Sequence, residues 1–454
     1  MKKIIVNYFF LLLIIVSLVR FSILLVKPAS FLDDPDDYQR LALNLNEYGV
    51  FGSENEPTAF RPPLYPMVLA GTFNTIAPQN QRGNAESYWQ CCVLPQPLAV
   101  AWLHAGLGMF TALLVFATGI KIGMKESKAF LAALIVVVDP VLLQQSRLVM
   151  TETLATFFSI LLIYVLILWS ERLFGYRQYW FVIGIGILFG LAVLCRPAFL
   201  VFAILVAMAI LLGRCDRRIA IVSALCFVLG CAIPLAFWTV RNVRQFDRPI
   251  VTTTHGGYTL LLANNRFLYD YLQKHWPWEQ AWDAQDFHKW YTDTISEKIR
   301  EEKASGKPIQ IELLQDRIAK ELALKEIKAR PGMFVQATLV RFGNLWQCLP
   351  YGTGNAKQIS FWIRVAIAVF YVGELCLAIG GLFYLIRNRK RKTETSLQAY
   401  SPWLWGILLI ISVQLPHLVY WTNMRMRAPL VPVLALLVVY ALIQRGQNRE
   451  KQKY

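Results

Sequence analysis

The first polar segment of the chain combines the residue types that a group-transfer reaction needs. It follows an apolar N-terminal run and contains four closely spaced aspartates and one arginine before a pair of prolines: Asp33, Asp34, Asp36, Asp37 and Arg61. Acidic groups beside a bilayer are costly unless they face water or serve a function. A carboxylate can take a proton as a general base, and a guanidinium can hold two phosphate oxygens at once. The segment therefore predicts a base and a phosphate contact near the membrane surface.

Further charged candidates stand at the ends of apolar runs on the same predicted side of the membrane. Glu152 opens one run, and three arginines end or begin others: Arg196, Arg425 and Arg427. Arginine is uncommon on the outer side under the positive-inside rule, so we expect one or two of the three to bind a lipid phosphate. Their ordinary alternative is contact with lipid head groups. For Glu152 the alternative is a favourable charge at a helix N-terminus.

Local patterns place the first candidates on defined elements. Apolar and aromatic residues from Tyr38 to Tyr48 recur at helical spacing, and Gly49 is a stop signal. This predicts an amphipathic helix on the outer membrane surface. Asp34 and Asp37 bracket its start, where negative charge suits the helix dipole. Pro62 and the prolines after it fix the backbone beyond Arg61, so we expect its side chain to be held rigidly.

The composition indicates a polytopic membrane protein. The 454 residues are 56% hydrophobic and only 17% charged, with a mean hydropathy of +0.43, whereas soluble domains are about one-quarter charged. The net charge of +17 is spread over short loops between apolar runs, as membrane orientation requires. Nucleic acid is not an expected partner, because no basic stripe on a soluble domain is visible.

The apolar runs predict an all-α protein with about ten transmembrane helices, each about 20 residues long. The predicted spans are Ile4–Val26, Pro97–Ile120, Ala129–Leu143, Thr151–Trp169, Trp180–Leu194, Ala198–Leu212, Ile219–Val240, Phe361–Ile386, Pro402–Tyr420 and Ala428–Leu442. Basic loops alternate with the spans, which predicts cytoplasmic termini in a cell (inner) membrane.

Three regions follow from this reading. Residues 1–240 form an N-terminal transmembrane module whose first outer loop, 27–96, carries the catalytic candidates. Residues 241–360 are the one long polar segment, and we expect a small extracytoplasmic domain of mixed structure with a charged helix from Ile309 to Arg330. Residues 361–454 form the C-terminal helices and a cytoplasmic tail.

Several of these motifs, taken in order, resemble the GT-C superfamily of membrane glycosyltransferases, and within it the family of protein O-mannosyltransferases and aminoarabinose transferases. The matching pieces are Asp34 four residues before Tyr38, Gly49, FRPPLYP at Phe60–Pro66, Ser146-Arg147 with Thr151-Glu152, Cys195-Arg196-Pro197, and Arg425 to Pro429 with Pro432.

The resemblance implies a helical bundle with surface helices around a cavity, and a polyprenyl-phosphate sugar as donor. It implies Asp34 as the general base of an inverting transfer at the outer face, with Asp36 the next candidate and Glu152 a further acid. Arg61 matches the basic residue before the family's Pro-Pro. It also implies acceptor or sugar contacts, which we expect at Tyr38, Tyr65, His255 and Asn264. The acceptor could be a lipid, a glycan or a protein hydroxyl.

Other readings stay open. A transporter or flippase of a lipid-linked glycan would need ionisable groups near the midplane and repeated halves, and a glycan polymerase or ligase would not need the acidic loop. No cofactor is certain, although a divalent cation would be compatible; the histidines are too dispersed to predict a metal site. A disulfide bond of Cys348 with Cys91 or Cys92 is one option in an oxidising compartment.

Overall fold

The computed structural model of the chain describes most of its residues. They are 2–26, 31, 33–53, 56–76, 95–171, 177–213, 216–275, 282–304, 309–350, 360–389 and 401–451. Cys91 and Cys92, the suggested disulfide partners of Cys348, lie outside the described residues.

The described residues are almost entirely helical, and a two-stranded antiparallel sheet pairs β1 (Gly52–Ser53) with β2 (Glu56–Pro57). In chain order the helices are α1 Lys2–Val26, α2 Tyr38–Tyr48, α3 Leu64–Ile76, α4 Pro95–Lys121, α5 Glu126–Val138, α6 Pro140–Gln145, α7 Glu152–Ser170, α8 Arg177–Cys195, α9 Phe199–Leu211, α10 Arg217–Phe246, α11 Gly256–Ala263, α12 Arg266–Lys274, α13 Gln285–Ala304, α14 Ile311–Ala329, α15 Pro331–Leu345, α16 Phe361–Arg389, α17 Pro402–His417, the 3₁₀ segment Met424–Leu430, and α18 Val431–Lys451.

A helix lies at each of the predicted spans, but only some of these helices are long enough to cross a membrane. Five described helical stretches are long and apolar enough to cross a membrane: Leu98–Lys121, Glu152–Ser170, Arg217–Phe246, Phe361–Asn388 and Met424–Gln447. Shorter apolar helices cover Ile5–Arg20, Leu64–Phe73, Tyr179–Cys195, Phe199–Leu211 and Pro402–His417. The helical membrane architecture is thus observed, while the count of ten spans stays a prediction.

The third predicted span is divided by a break in the helix at Asp139. Pro140 cannot donate a backbone hydrogen bond, so α5 ends at Val138 and α6 begins at Pro140. The buried Asp139 side chain caps α6 by accepting from Leu142 N at 2.8 Å.

Close packing of α8 against α10 depends on glycine. A Cβ added at Gly186 would lie 2.2 Å from Phe227 O, and one at Gly230 would lie 2.2 Å from Ile183 O. Small residues allow helix backbones to approach in membrane bundles. This contact carries the end of α8, and so Arg196, to a fixed position in the bundle.

In the described part of the polar segment between α10 and α16, the regular elements are the helices α11 to α15, joined by turns and irregular stretches, and no strand lies there. Its predicted charged helix is confirmed as α14. Buried Arg341 of α15 donates to Leu418 O at 2.8 Å and to Ala263 O at 2.7 Å. These bonds join the polar segment to the end of α17.

Candidate functional site

Five charged side chains from separate parts of the chain form one continuous row of ion pairs. Arg61 Nη2 lies 2.8 Å from Asp36 Oδ1, and Arg425 Nη2 lies 3.7 Å from Asp36 Oδ2. Arg425 Nε and Arg196 Nη2 lie 3.7 and 3.5 Å from the same oxygen, Glu152 Oε1. The charges alternate along the row, which we call the ion-pair row, and three arginines against two acids leave it one positive charge in excess.

Each member of the row is held at an element boundary. Arg61 precedes two prolines and α3, Glu152 is the first residue of α7, and Arg196 directly follows α8. Arg425 lies in the 3₁₀ segment, whose start is capped by Asn423. The backbone bond from Val149 N to Asp33 O, 3.0 Å long, joins the acidic segment to the chain just before Glu152.

Burial differs along the row. The Glu152 side chain is 1% exposed, whereas the Asp36 side chain is 20% exposed. Glu152 Oε2 is buried and has no hydrogen-bond partner among the described residues. A buried carboxylate depends on its cationic partners for compensation, so Glu152 is fixed by Arg196 and Arg425, while Asp36 keeps access to water.

Asp34 lies beside the row but has different partners. Its two carboxylate oxygens accept hydrogen bonds from Tyr38 N at 2.8 Å and Gln39 N at 2.7 Å, at the start of α2. The observed α2 confirms the predicted helix, and Gly49 ends it with φ +68°. Burial raises the pKa of Asp34, although the backbone N–H donors oppose this shift. A carboxylate whose pKa is raised is a better proton acceptor near neutral pH.

Arg61 is oriented by groups other than Asp36. Its Nη1 lies 3.4 Å from His255 Nε2, and its guanidinium carbon lies 5.2 Å from the Phe60 ring centroid and 5.8 Å from that of Tyr38. Burial, followed by the nearby Arg61 charge, lowers the pKa of His255 to about 3. The neutral imidazole must accept from Arg61 at Nε2, because arginine can only donate. Its proton is therefore on Nδ1.

Other predicted site residues are placed away from the row. Arg427 is fully buried; it donates to Gln347 O at 2.7 Å, and its guanidinium carbon lies 4.0 Å from the Tyr371 ring centroid. Asn264 is also fully buried and donates to Leu260 O and Val419 O, both at 2.9 Å. Both residues thus bind backbone carbonyls of the protein, and neither belongs to the ion-pair row.

The two predicted tyrosine contacts pack against each other. Tyr65 is fully buried, and its hydroxyl is 2.8 Å from His104 Nε2. The Tyr38 ring meets the Tyr65 ring edge-on, with centroids 5.4 Å apart. Only Tyr38 is therefore in contact with a member of the row, through the guanidinium of Arg61.

An acid that the sequence analysis did not single out holds two segments of the site together. Glu312 of α14 accepts from Thr58 Oγ1 at 2.6 Å and from Ala59 N at 2.9 Å, and also from Thr254 Oγ1. One turn later, Asp316 accepts from Gly257 N at 2.6 Å. We call Glu312 and Asp316 the α14 clamp. It holds the segments that carry Arg61 and His255.

The backbone of α14 approaches Gly257 so closely at the clamp that this position requires glycine. A Cβ at Gly257 would lie 2.1 Å from Asp316 O, so no larger residue fits without moving α14. The only sequence signal was the spacing of Glu312 and Asp316, which places both on one face of a helix.

In the described part of the chain, no group of three or more His, Cys, Asp or Glu is arranged to hold a metal ion. Asp36 and Glu152 are the acids closest to such a role, and arginines already contact their oxygens. A divalent cation therefore stays a prediction from the sequence, and no step below depends on it.

Comparison with known proteins gives a family-model match over part of the chain and a similar fold. The family model for dolichyl-phosphate-mannose-protein mannosyltransferase matches residues 47–225, a range that contains Arg61, Glu152 and Arg196 but neither Asp34 nor Asp36. No curated protein matches the chain.

The structure is similar to oligosaccharyltransferases from Archaeoglobus fulgidus. The apo enzyme has a TM-score of 0.52 and 14% identity over 96% of this chain and 50% of that chain. The archaeal oligosaccharyltransferase AglB with an inhibitory peptide and a dolichol-phosphate has a TM-score of 0.51 and 12% identity over 98% of this chain and 51% of that chain. The chain thus spans about half the length of these proteins, and at such identities the likeness concerns the fold. The family model thus matches less than half of the chain, and the structural likeness shows a fold shared with these oligosaccharyltransferases.

Proposed function

We propose that the protein transfers a sugar from a polyprenyl-phosphate donor to an acceptor at the extracytoplasmic membrane face, with inversion at the anomeric carbon. The ion-pair row is the observation that carries this proposal. Three arginines converge at the ends of apolar helices, where a lipid-linked anion would meet fixed positive charge. The match to a family that uses dolichyl-phosphate-mannose supports the same donor class.

The arginines serve the leaving group. As the bond between the anomeric carbon and the phosphate oxygen breaks, the electron pair goes to the phosphate, and negative charge develops there. Fixed cations placed at that point stabilise the transition state without reorganisation. All three arginines are partly exposed, with 18% of the Arg61 side chain, 15% of Arg196 and 29% of Arg425 accessible. Since phosphate is a good leaving group, no general acid is required.

Asp34 is the proposed base. The acceptor hydroxyl attacks the anomeric carbon from the face opposite the phosphate, and its proton passes to the carboxylate. Asp36 is less suited, because each of its two oxygens already faces a guanidinium. Asp34 instead accepts from neutral N–H groups, and burial raises its pKa. The products are the glycosylated acceptor, polyprenyl phosphate and a proton.

The acceptor class is the open half of the reaction. The family model names a protein mannosyltransferase, and one structural neighbour was solved with a peptide bound, which supports a protein hydroxyl. A lipid or a glycan would present the same hydroxyl chemistry to Asp34. An assay should therefore offer all three acceptor classes.

The test is sugar transfer by purified protein from radiolabelled polyprenyl-phosphate sugars. We expect Asp34→Asn to lower turnover by at least about 100-fold, the usual size of a general-base contribution, without unfolding the protein. Asp37→Asn is the matched control. Asp37 is exposed, pairs only with Arg40 among the described residues, and has φ +61°, a conformation that asparagine tolerates.

Two outcomes would contradict the proposal. If the folded wild-type protein transfers no sugar from any polyprenyl-phosphate donor to any of the three acceptor classes, the function is wrong. If transfer occurs and Asp34→Asn retains wild-type turnover, the function stands but Asp34 is not the base.

A further inference from the structure

Asp36 occupies a position that resembles a binding site for a phosphate. Its two oxygens face two different guanidiniums, with Oδ1 2.8 Å from Arg61 Nη2 and Oδ2 3.7 Å from Arg425 Nη2. Arginine donors bind carboxylate and phosphate oxygens with the same geometry. The space between Arg61 and Arg425 is therefore suited to either anion, but not to both at once.

We propose that the Asp36 carboxylate stands in for the donor phosphate between Arg61 and Arg425, and that the polyprenyl phosphate must displace it to bind. This inference rests on the proposed function, because it takes the same donor. It adds that the site contains its own competing anion, so Asp36 is a positioning residue that sets the affinity for lipid phosphate.

Of the two acids in the ion-pair row, Asp36 is the more exposed. Its side chain is 20% exposed, and it lies in a turn between Pro35 and Asp37, before α2 begins. Glu152, by contrast, is 1% exposed and is the first residue of α7. A carboxylate that leaves its arginines for water loses little, since partly exposed ion pairs are weak.

The exchange has consequences for both ends of the reaction. The phosphodiester of the incoming donor carries one negative charge, as Asp36 does, so it can exchange with Asp36 at the same arginines. Sugar transfer then leaves a phosphate monoester, which carries up to two negative charges. After transfer, the Asp36 carboxylate can return and help to expel polyprenyl phosphate. Removing the Asp36 charge should therefore strengthen product binding and slow turnover. If Asp36 had only a structural role, its removal would weaken product binding as well as lower turnover.

The test measures binding of polyprenyl phosphate to wild-type, Asp36→Asn and Asp37→Asn proteins in lipid nanodiscs by titration calorimetry. We expect Asp36→Asn to bind about tenfold more tightly, as follows from losing a competitor held by two partly exposed ion pairs, while kcat falls. Asp37→Asn should match the wild type. Asp36→Ser removes the same charge with a smaller side chain, which guards against an effect specific to asparagine or to misfolding of one variant.

Two further ligands test whether the site recognises the phosphate or the lipid chain. Polyprenol without phosphate should show no gain in the Asp36→Asn variant, and inorganic phosphate should show a gain of the same sign as the lipid phosphate. Equal or weaker binding of polyprenyl phosphate by both folded Asp36 variants would overturn the inference, even if sugar transfer by the wild type is intact. Absence of transfer and of any lipid-phosphate binding in the wild type would instead overturn the proposed function and this inference with it.

Discussion

Removal of the Glu312 side chain tests whether the α14 clamp positions Arg61. The carboxylate accepts from Thr58 Oγ1, Ala59 N and Thr254 Oγ1. Ala59 is two residues before Arg61, and Thr254 directly precedes His255. Glu312→Ala should therefore release both segments at once, although Glu312 itself touches no member of the ion-pair row.

The size of the effect follows from the lost bonds. A hydrogen bond to a charged group is worth about 1.5–3 kcal/mol, and the bonds to Glu312 share one carboxylate, so we expect a total loss of about 3 kcal/mol. If displacement of Arg61 removes about half of this free energy from the stabilisation of the transition state, kcat/KM falls roughly tenfold. Glu312→Gln keeps an acceptor oxygen and should lose only about half of the rate effect, or roughly threefold.

The assay compares kcat and KM for the donor in wild-type, Glu312→Ala, Glu312→Gln and Glu321→Ala proteins. Glu321 is the control, since it is an exposed glutamate on the same helix. If Glu312 has a positioning role, Glu312→Ala should lower kcat clearly while the thermal midpoint changes little. Glu312→Gln should restore part of the lost kcat. The reasoning is refuted if both Glu312 variants keep wild-type kcat/KM, or if they lose activity only in proportion to unfolded protein.

Two other predictions follow from single side chains. Burial raises the pKa of Asp34, and the base must be deprotonated to act. We therefore expect kcat/KM to rise with pH along an acid limb whose midpoint lies above the ordinary aspartate pKa of about 3.9. A wild-type pH profile without that limb would argue against Asp34 as the base. Arg427→Met should lower the free energy of unfolding by about 2 kcal/mol, because it removes the buried donor to Gln347 O; denaturant titration in detergent checks this, and an unchanged midpoint would contradict the structural role.

Local patterns in the sequence were sufficient to predict the elements. The period of apolar residues and the stop at Gly49 predicted α2, and the charged periodicity predicted α14. Both signals come from neighbours within a few residues, which is the range over which helix propensity and capping act. The break at Asp139 is equally local in origin, because Pro140 acts on its own helix.

The partners of the charged residues could not be predicted in the same way. Arg425 and Arg427 are two residues apart, yet the first contacts Asp36 and Glu152 while the second is buried against Tyr371. This difference depends on how the 3₁₀ segment is oriented between helices that are distant in sequence. The role of Glu312 was missed for a similar reason, since its partner Thr58 lies 254 positions away.

Asp34 and Asp36 show how the surroundings divide the work between two identical side chains. The backbone N–H groups of α2 are neutral dipoles, so they hold Asp34 in place without cancelling its charge, and burial favours its protonated form. The guanidiniums of Arg61 and Arg425 instead face both oxygens of Asp36, so that carboxylate is already held by ion pairs. If these contacts and not the position in the motif decide which aspartate is the base, removing an arginine that pairs with Asp36 should leave the base unchanged. An Arg61→Gln variant would lose phosphate affinity, yet it should leave the acid limb set by Asp34 in place, since Asp34 makes no contact with Arg61 among the described ion pairs.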